Sequence, residues 1–78
     1  MLKVKYLGLF PVTLPDEISV GRGQTLAQVM ESLIKACKMA DDFFWEHHLV
    51  ILNGRQPEME EVVHEGDLLH ILSYSEGG

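Results

Sequence analysis

Only one cysteine, Cys37, occurs in the 78 residues. The chain by itself therefore forms no disulfide, and it cannot supply a cysteine-rich zinc site or a cysteine-ligated iron–sulfur cluster. Basic residues are scarce as well: six lysines and arginines stand against twelve acidic side chains, a formal charge of −6. Nucleic acid has to be met with cationic side chains, so this balance argues against a nucleic-acid partner, and an acidic surface suits a basic protein surface better. No apolar run is long enough to span a bilayer, and no charged, apolar and small-residue leader opens the sequence. The expectation is a soluble protein kept in the cytoplasm, without a membrane partner. Repeats and internal low-complexity runs are missing too. So is any set of nucleophile, base and oxyanion donors, which leaves no intrinsic catalytic residue and no expectation that the chain is an enzyme on its own.

What is present reads as one small domain. In "MLKVKYLGL", Leu2, Val4 and Tyr6 alternate with Lys3 and Lys5, the period of a strand with one buried face. Pro11 and Pro15 flank a turn region, and "EISVG" places Ile18 and Val20 on one side of a second strand. "TLAQVMESLIKACK" is the clearest element. Leu26, Val29, Met30, Leu33, Ile34 and Cys37 draw one apolar stripe down a helix, Thr25 and Gln28 form a capping box, and Glu31 precedes Lys35 by one turn on the solvent side.

Next, "ADDFFWEHH" reads as a short helical turn capped by Asp41 or Asp42 and carrying Phe43, Phe44 and Trp45. Two uses stand for these rings: closing the open end of the core, with at least one left at the surface, or forming a knob for a partner. "HLVILNGR" is an apolar strand ended by Asn53-Gly54. Val62 and Val63 suggest a short edge segment, and "GDLLHILS" is a last strand opened by Gly66-Asp67. One amphipathic helix covers one face of a sheet, which gives an α+β domain. The most economical closure sets the first and last strands side by side and parallel in the middle. The result is a mixed four- to five-stranded sheet packed on one main helix, resembling the ubiquitin-like β-grasp, with the domain at residues 1–72 and a flexible tail at 73–78.

Over nearly its whole length the sequence resembles the ThiS/MoaD-like sulfur carriers, which include the molybdopterin synthase small subunit and the thiamine-pathway carrier. The resemblance rests on Thr25-Leu26 opening the helix, Leu52-Asn53-Gly54 closing the middle strand, Gly66-Asp67 opening the last one, and Gly77-Gly78 at the end. It departs from the synthase subunits in lacking a proline pair before the tail, where Ser73, Tyr74 and Glu76 stand instead. The resemblance implies a carrier whose Gly78 carboxylate is adenylated and converted to a thiocarboxylate, with Glu76 and Gly77 recognised as the tail enters the activating enzyme. The implied partners are a ubiquitin-activating-like adenylyltransferase of the MoeB/ThiF type and the catalytic subunit of a molybdopterin-synthase-like enzyme. The implied product is a molybdopterin-type cofactor for molybdenum or tungsten, with the thiamine pathway as the alternative destination of the sulfur. No bound cofactor is implied, and ATP is consumed by the activating partner. A ubiquitin-like protein modifier shares the first step. A non-catalytic β-grasp interaction domain is the reading in which the glycines carry no chemistry.

The residues suit such chemistry. A carboxylate is a poor electrophile until joined to AMP, and glycines let an extended tail pass through a tunnel that a Cβ would obstruct. Ordering that tail costs entropy, so a docking face on the domain is expected to supply affinity. If Leu69 and Ile71 point at the helix, alternation puts Leu68, His70 and Leu72 on the opposite face as that docking site; the inverted strand would make them core instead. Cys37, on the apolar stripe, reads as a buried inert thiol. His47, His48, His64 and His70 have no metal-site spacing, and no metal residue is assigned. Glu58, Glu60 and Glu61 around Met59 read as a solvated loop or as a meeting point for a basic partner surface.

Overall fold

A computed structural model of the chain describes residues 1–8, 10 and 14–74. Its elements are β1 (Leu2–Leu7), β2 (Glu17–Ile18), α1 (Leu26–Cys37), α2 (Asp41–His47), β3 (His48–Leu52) and β4 (Leu68–Ser73). The four strands form one mixed sheet in the order β2-β1-β4-β3. β1 and β4 are parallel central neighbours, paired from Lys3 with Leu68 to Leu7 with Leu72. The flanking pairs, β1 with β2 and β3 with β4, are antiparallel. The expected placing of the first and last strands is therefore observed, in a small α+β domain with two helices.

Helix α1 forms where the periodicity places it. Thr25 accepts from the Gln28 N–H, while the Gln28 side chain accepts from the Thr25 N–H at 2.9 Å, so both halves of the capping box are made. The next two orphan donors of the first turn are met from outside the helix: Leu26 N–H donates to Glu61 O and Ala27 N–H to Met59 O. At the other end Lys38 adopts the left-handed region, φ 60°, and its N–H closes on the Ile34 and Lys35 carbonyls. All six residues of the predicted stripe are buried. They pack against Leu2, Val4, Val50, Leu52, Leu69 and Ile71 from the sheet, with Phe44 and Val63 completing the core. Fully burying each such side chain contributes about 1.5–3 kcal/mol against chain entropy.

Three expectations are corrected. The second helix is a full element of seven residues, and neither aspartate caps it: Ala40 is the N-cap and makes no side-chain bond, while Asp41 and Asp42 lie inside the first turn, where carboxylates face the positive end of the helix dipole. Val62 and Val63 add no strand; Val62 makes an isolated antiparallel bridge to Thr25, and Val63 donates its N–H to Gln24 O and is buried. The backbone groups of this segment are used in closing the start of α1. β2 is shorter than "EISVG" suggests, so Val20 lies beyond the strand, although it still packs on the core. The turn expected at Pro11 lies outside the described residues. Glu31 and Lys35 form no ion pair; the ion pairs among the described residues are Met1 amine–Glu65 and Arg55–Glu61, and the His64 ring lies 3.9 Å from the Asp67 carboxylate.

Candidate docking site

The alternation of β4 decides the geometry. Leu69 and Ile71 are buried against α1, whereas Leu68, His70 and Leu72 turn to the other face and are each partly exposed. Of the two orientations open to the sequence, the structure has the one that leaves these three residues away from the helix. Register then assembles their neighbours. Leu72 lies between Leu7 on β1 and Leu49 on β3, His70 between Lys5 and Ile51, and Leu68 beside Lys3. Leu7 is the most open of the group, at 50 % exposure.

The result is an apolar band at the end of the sheet where β4 finishes, grading through His70 into a charged edge where Lys3 and Lys5 stand beside Asp16 and Glu17. Neither lysine has an ion-pair partner among the described residues. Lys3 is paired in register with Glu17, which offsets part of its charge, while Lys5 faces His70. A surface of this kind can bury apolar area and select a partner by charge at its rim.

Leu7, Leu49, Ile51 and Lys5 were missed by the sequence reading. The alternation of β1 and β3 contained them; the registers that line them up with β4, parallel for β1 and antiparallel for β3, are long-range and were not legible.

Gly8 fixes the exit from this face. Its φ is 112°, and a Cβ there would lie 2.7 Å from the Ser73 Cβ, so only glycine lets β4 pass this close. Beyond Ser73, the Tyr74 N–H donates to His47 O at 2.8 Å. Glu76, Gly77 and Gly78, the expected tail-recognition and activation residues, lie outside the described residues.

The remaining candidates are dispersed. Cys37 is buried in the α1 stripe, and burial pushes its thiol pKa up, away from the thiolate. Burial also raises the Tyr6 phenol to about 12, with smaller contributions from Cys37 and Asp16, and its hydroxyl donates to Pro15 O at 2.7 Å. Phe44 is in the core, stacked on the buried His48 ring with centroids 4.3 Å apart, and His48 Nδ1 is 2.9 Å from Phe44 O. Phe43 is half exposed and stacks on His47. The aromatic segment thus closes the core with Phe44 and leaves Phe43 at the surface, as the core reading expects. Among the described residues no group of three or more His, Cys, Asp or Glu side chains converges as a metal site, and no helix is long and apolar enough to cross a membrane.

No protein-family model matches the sequence. No curated protein is detectably similar to it. No solved structure matches it.

Proposed function

We propose that the chain is a sulfur carrier built on a ubiquitin-like β-grasp, activated at the Gly78 carboxylate by an adenylyltransferase of the MoeB/ThiF type. Its second partner is the catalytic subunit of a molybdopterin-synthase-like enzyme. The observation that carries this reading is a continuity. The apolar band of Leu7, Leu49 and Leu72 lies at the end of β4, the central strand from which the chain runs on to Gly77-Gly78. A partner gripping that band receives the glycines a few residues further along. Four residues follow Tyr74, and at about 3.3–3.6 Å each an extended segment would reach some 13–14 Å beyond Tyr74, enough to enter a neighbouring enzyme's site while the sheet stays docked.

In the proposed cycle a Gly78 carboxylate oxygen attacks the α-phosphorus of ATP in the partner's site. Pyrophosphate leaves, and an acyl-adenylate remains. Hydrosulfide, or an equivalent two-electron sulfur donor supplied there, attacks the carbonyl and expels AMP, leaving a thiocarboxylate. Transfer of that sulfur to a pterin-type precursor and hydrolysis of the acyl group regenerate the carboxylate. The chain contributes no acid or base to these steps; it contributes an unhindered acyl carbon and the surface that delivers it.

Intact mass of the protein isolated from its host reads the premise and the product together. A free Gly78 carboxylate must be present, with a fraction of chains carrying one oxygen replaced by sulfur. ATP–pyrophosphate exchange with the adenylyltransferase is expected for the native end and not for chains shortened by Gly78 or extended by one alanine. Equal exchange by all three sinks the reading, and isopeptide adducts on lysines of other proteins redirect it to a protein modifier.

A further inference from the structure

On the helical side of the domain, behind the sheet, α1 and α2 leave an apolar groove that the carrier reading does not use. Ala27, Met30 and Ile34 form one wall along α1, and Trp45 and Met59 form the other. Met30 and Ile34 are buried in its floor, while Ala27 is exposed and Trp45 and Met59 are half-buried. The wall from Ala27 to Ile34 advances seven positions along α1, roughly 10 Å at 1.5 Å per residue, the length of two helical turns.

The charges that line this groove have one sign. Glu31 and Asp41 line it, and no lysine or arginine does. Neither carboxylate has an ion-pair partner among the described residues, and Lys35, one turn beyond Glu31, makes none with it. Most charged chain neighbours of the lining residues add to that sign: Asp42 and Glu46 on α2, and Glu58 and Glu60 on either side of Met59, are exposed carboxylates, and Lys35 beside Ile34 is the one cation among them. The sheet face differs in mixing signs at its edge, where Lys3 and Lys5 stand beside Asp16 and Glu17. An apolar floor between two helices with carboxylates at its rim matches the helix-in-groove mode of recognition, with apolar anchors one turn apart and cations beside them.

We infer that the α1–α2 groove is a docking site for a basic amphipathic helix of a partner protein, separate from the sheet face and able to be filled while that face is occupied. The two surfaces lie on opposite layers of the domain, so the inference stands or falls independently of the tail chemistry.

Trp45 is the one tryptophan in the chain and lies in the groove wall, so its emission reports occupancy. The probe is a synthetic helical peptide of leucine and lysine in amphipathic spacing, without tryptophan; its control carries glutamate in place of each lysine. The lysine peptide is expected to give a saturable change in Trp45 emission and the glutamate peptide none. Glu31→Lys with Asp41→Lys should weaken binding about tenfold or more, as two reversed contacts at a partly desolvated rim would. Glu17→Lys with Glu65→Lys makes the same change in net charge elsewhere on the exposed surface and should leave the affinity within about twofold. If both double variants weaken binding equally, the attraction is that of an acidic protein for any cation, and the groove is not a site. The absence of a saturable Trp45 change overturns the inference outright.

Discussion

Asn53 and Asp67 are bonded to each other: Asn53 Nδ2 donates to Asp67 Oδ1 at 3.1 Å, and Asn53 Oδ1 accepts the Leu68 backbone N–H at 2.9 Å. Two turn pairs that look unrelated in the sequence, Asn53-Gly54 and Gly66-Asp67, thus form one junction that ties the end of β3 to the start of β4. Asn53 sits at φ 52° and Gly54 at φ 83°, the left-handed pair of a tight two-residue turn. Asp67 also accepts the His64 N–H at 2.8 Å through Oδ2. Asn53→Ala removes the side-chain bonds and keeps a Cβ at positive φ, so a loss of about 1–3 kcal/mol is expected in urea unfolding. Asn53→Gly removes the same bonds without the conformational strain and should lose less. A double-mutant cycle with Asp67→Ala should show a coupling of about 0.5 kcal/mol or more, because the two side chains share a bond.

The two faces of β4 should respond oppositely to substitution. Leu69 is fully buried, so Leu69→Ala is expected to cost about 2–5 kcal/mol. Leu72→Glu and His70→Glu place charge on the partly exposed face and should leave the far-UV circular dichroism spectrum unchanged. Their effect belongs in the docking assay, as a loss of about tenfold or more in affinity for the activating partner at equal fold stability. Unfolding of both glutamate variants would show that the face is closed in solution.

Gly8 and Gly23 separate steric from conformational need. Both have positive φ, 112° and 74°, but a Cβ on Gly8 meets Ser73 whereas one on Gly23 meets nothing within 4 Å. Gly23→Ala should cost about 1 kcal/mol from the left-handed backbone alone. Gly8→Ala should cost more and should move the amide resonances of Ser73 and Tyr74, since β4 has to shift to admit the methyl group. Equal costs would mean that the approach of β1 and β4 at this end is soft.

At alkaline pH the domain should respond through Tyr6. Its phenol is raised from the ordinary 10.0 to about 12, chiefly by burial. Because the folded value lies above the unfolded one, the stability it contributes is fully present below about 10 and is lost as pH rises through about 12. Absorbance titration should show one tyrosine ionising in that upper range, and Tyr6→Phe should remove that step and flatten the alkaline loss of stability between 10 and 12. A Tyr6 that ionises near 10 would mean that the Tyr6–Pro15 side of the core is open to water.

Local sequence determined the elements whose causes lie within a turn or two. The stripe from Leu26 to Cys37, the reciprocal cap of Thr25 and Gln28, and the alternation of Leu2, Val4 and Tyr6 each depend on neighbours three or four positions away or fewer, and each is found where the pattern puts it. The parallel placing of β1 beside β4 also followed, since one amphipathic helix has one sheet face to cover.

Tertiary structure alone decided the rest. α2 has no capping side chain to announce it; Phe44, buried on His48, holds it in place. Val62 reads as strand but bridges to Thr25, because the unpaired donors at the start of α1 need partners more than the sheet needs a fifth strand. For β4 the sequence allowed either face inward, and the choice rests on packing: Leu69 and Ile71 fit beneath α1, which leaves Leu68, His70 and Leu72 outward. Whether Leu7 and Leu49 join Leu72 in one band depends on registers between residues more than sixty and more than twenty positions apart in the chain. Contacts at that separation are fixed by the closed core as a whole, because the loss of chain entropy in making them is offset only when all three strands and the helix are packed together.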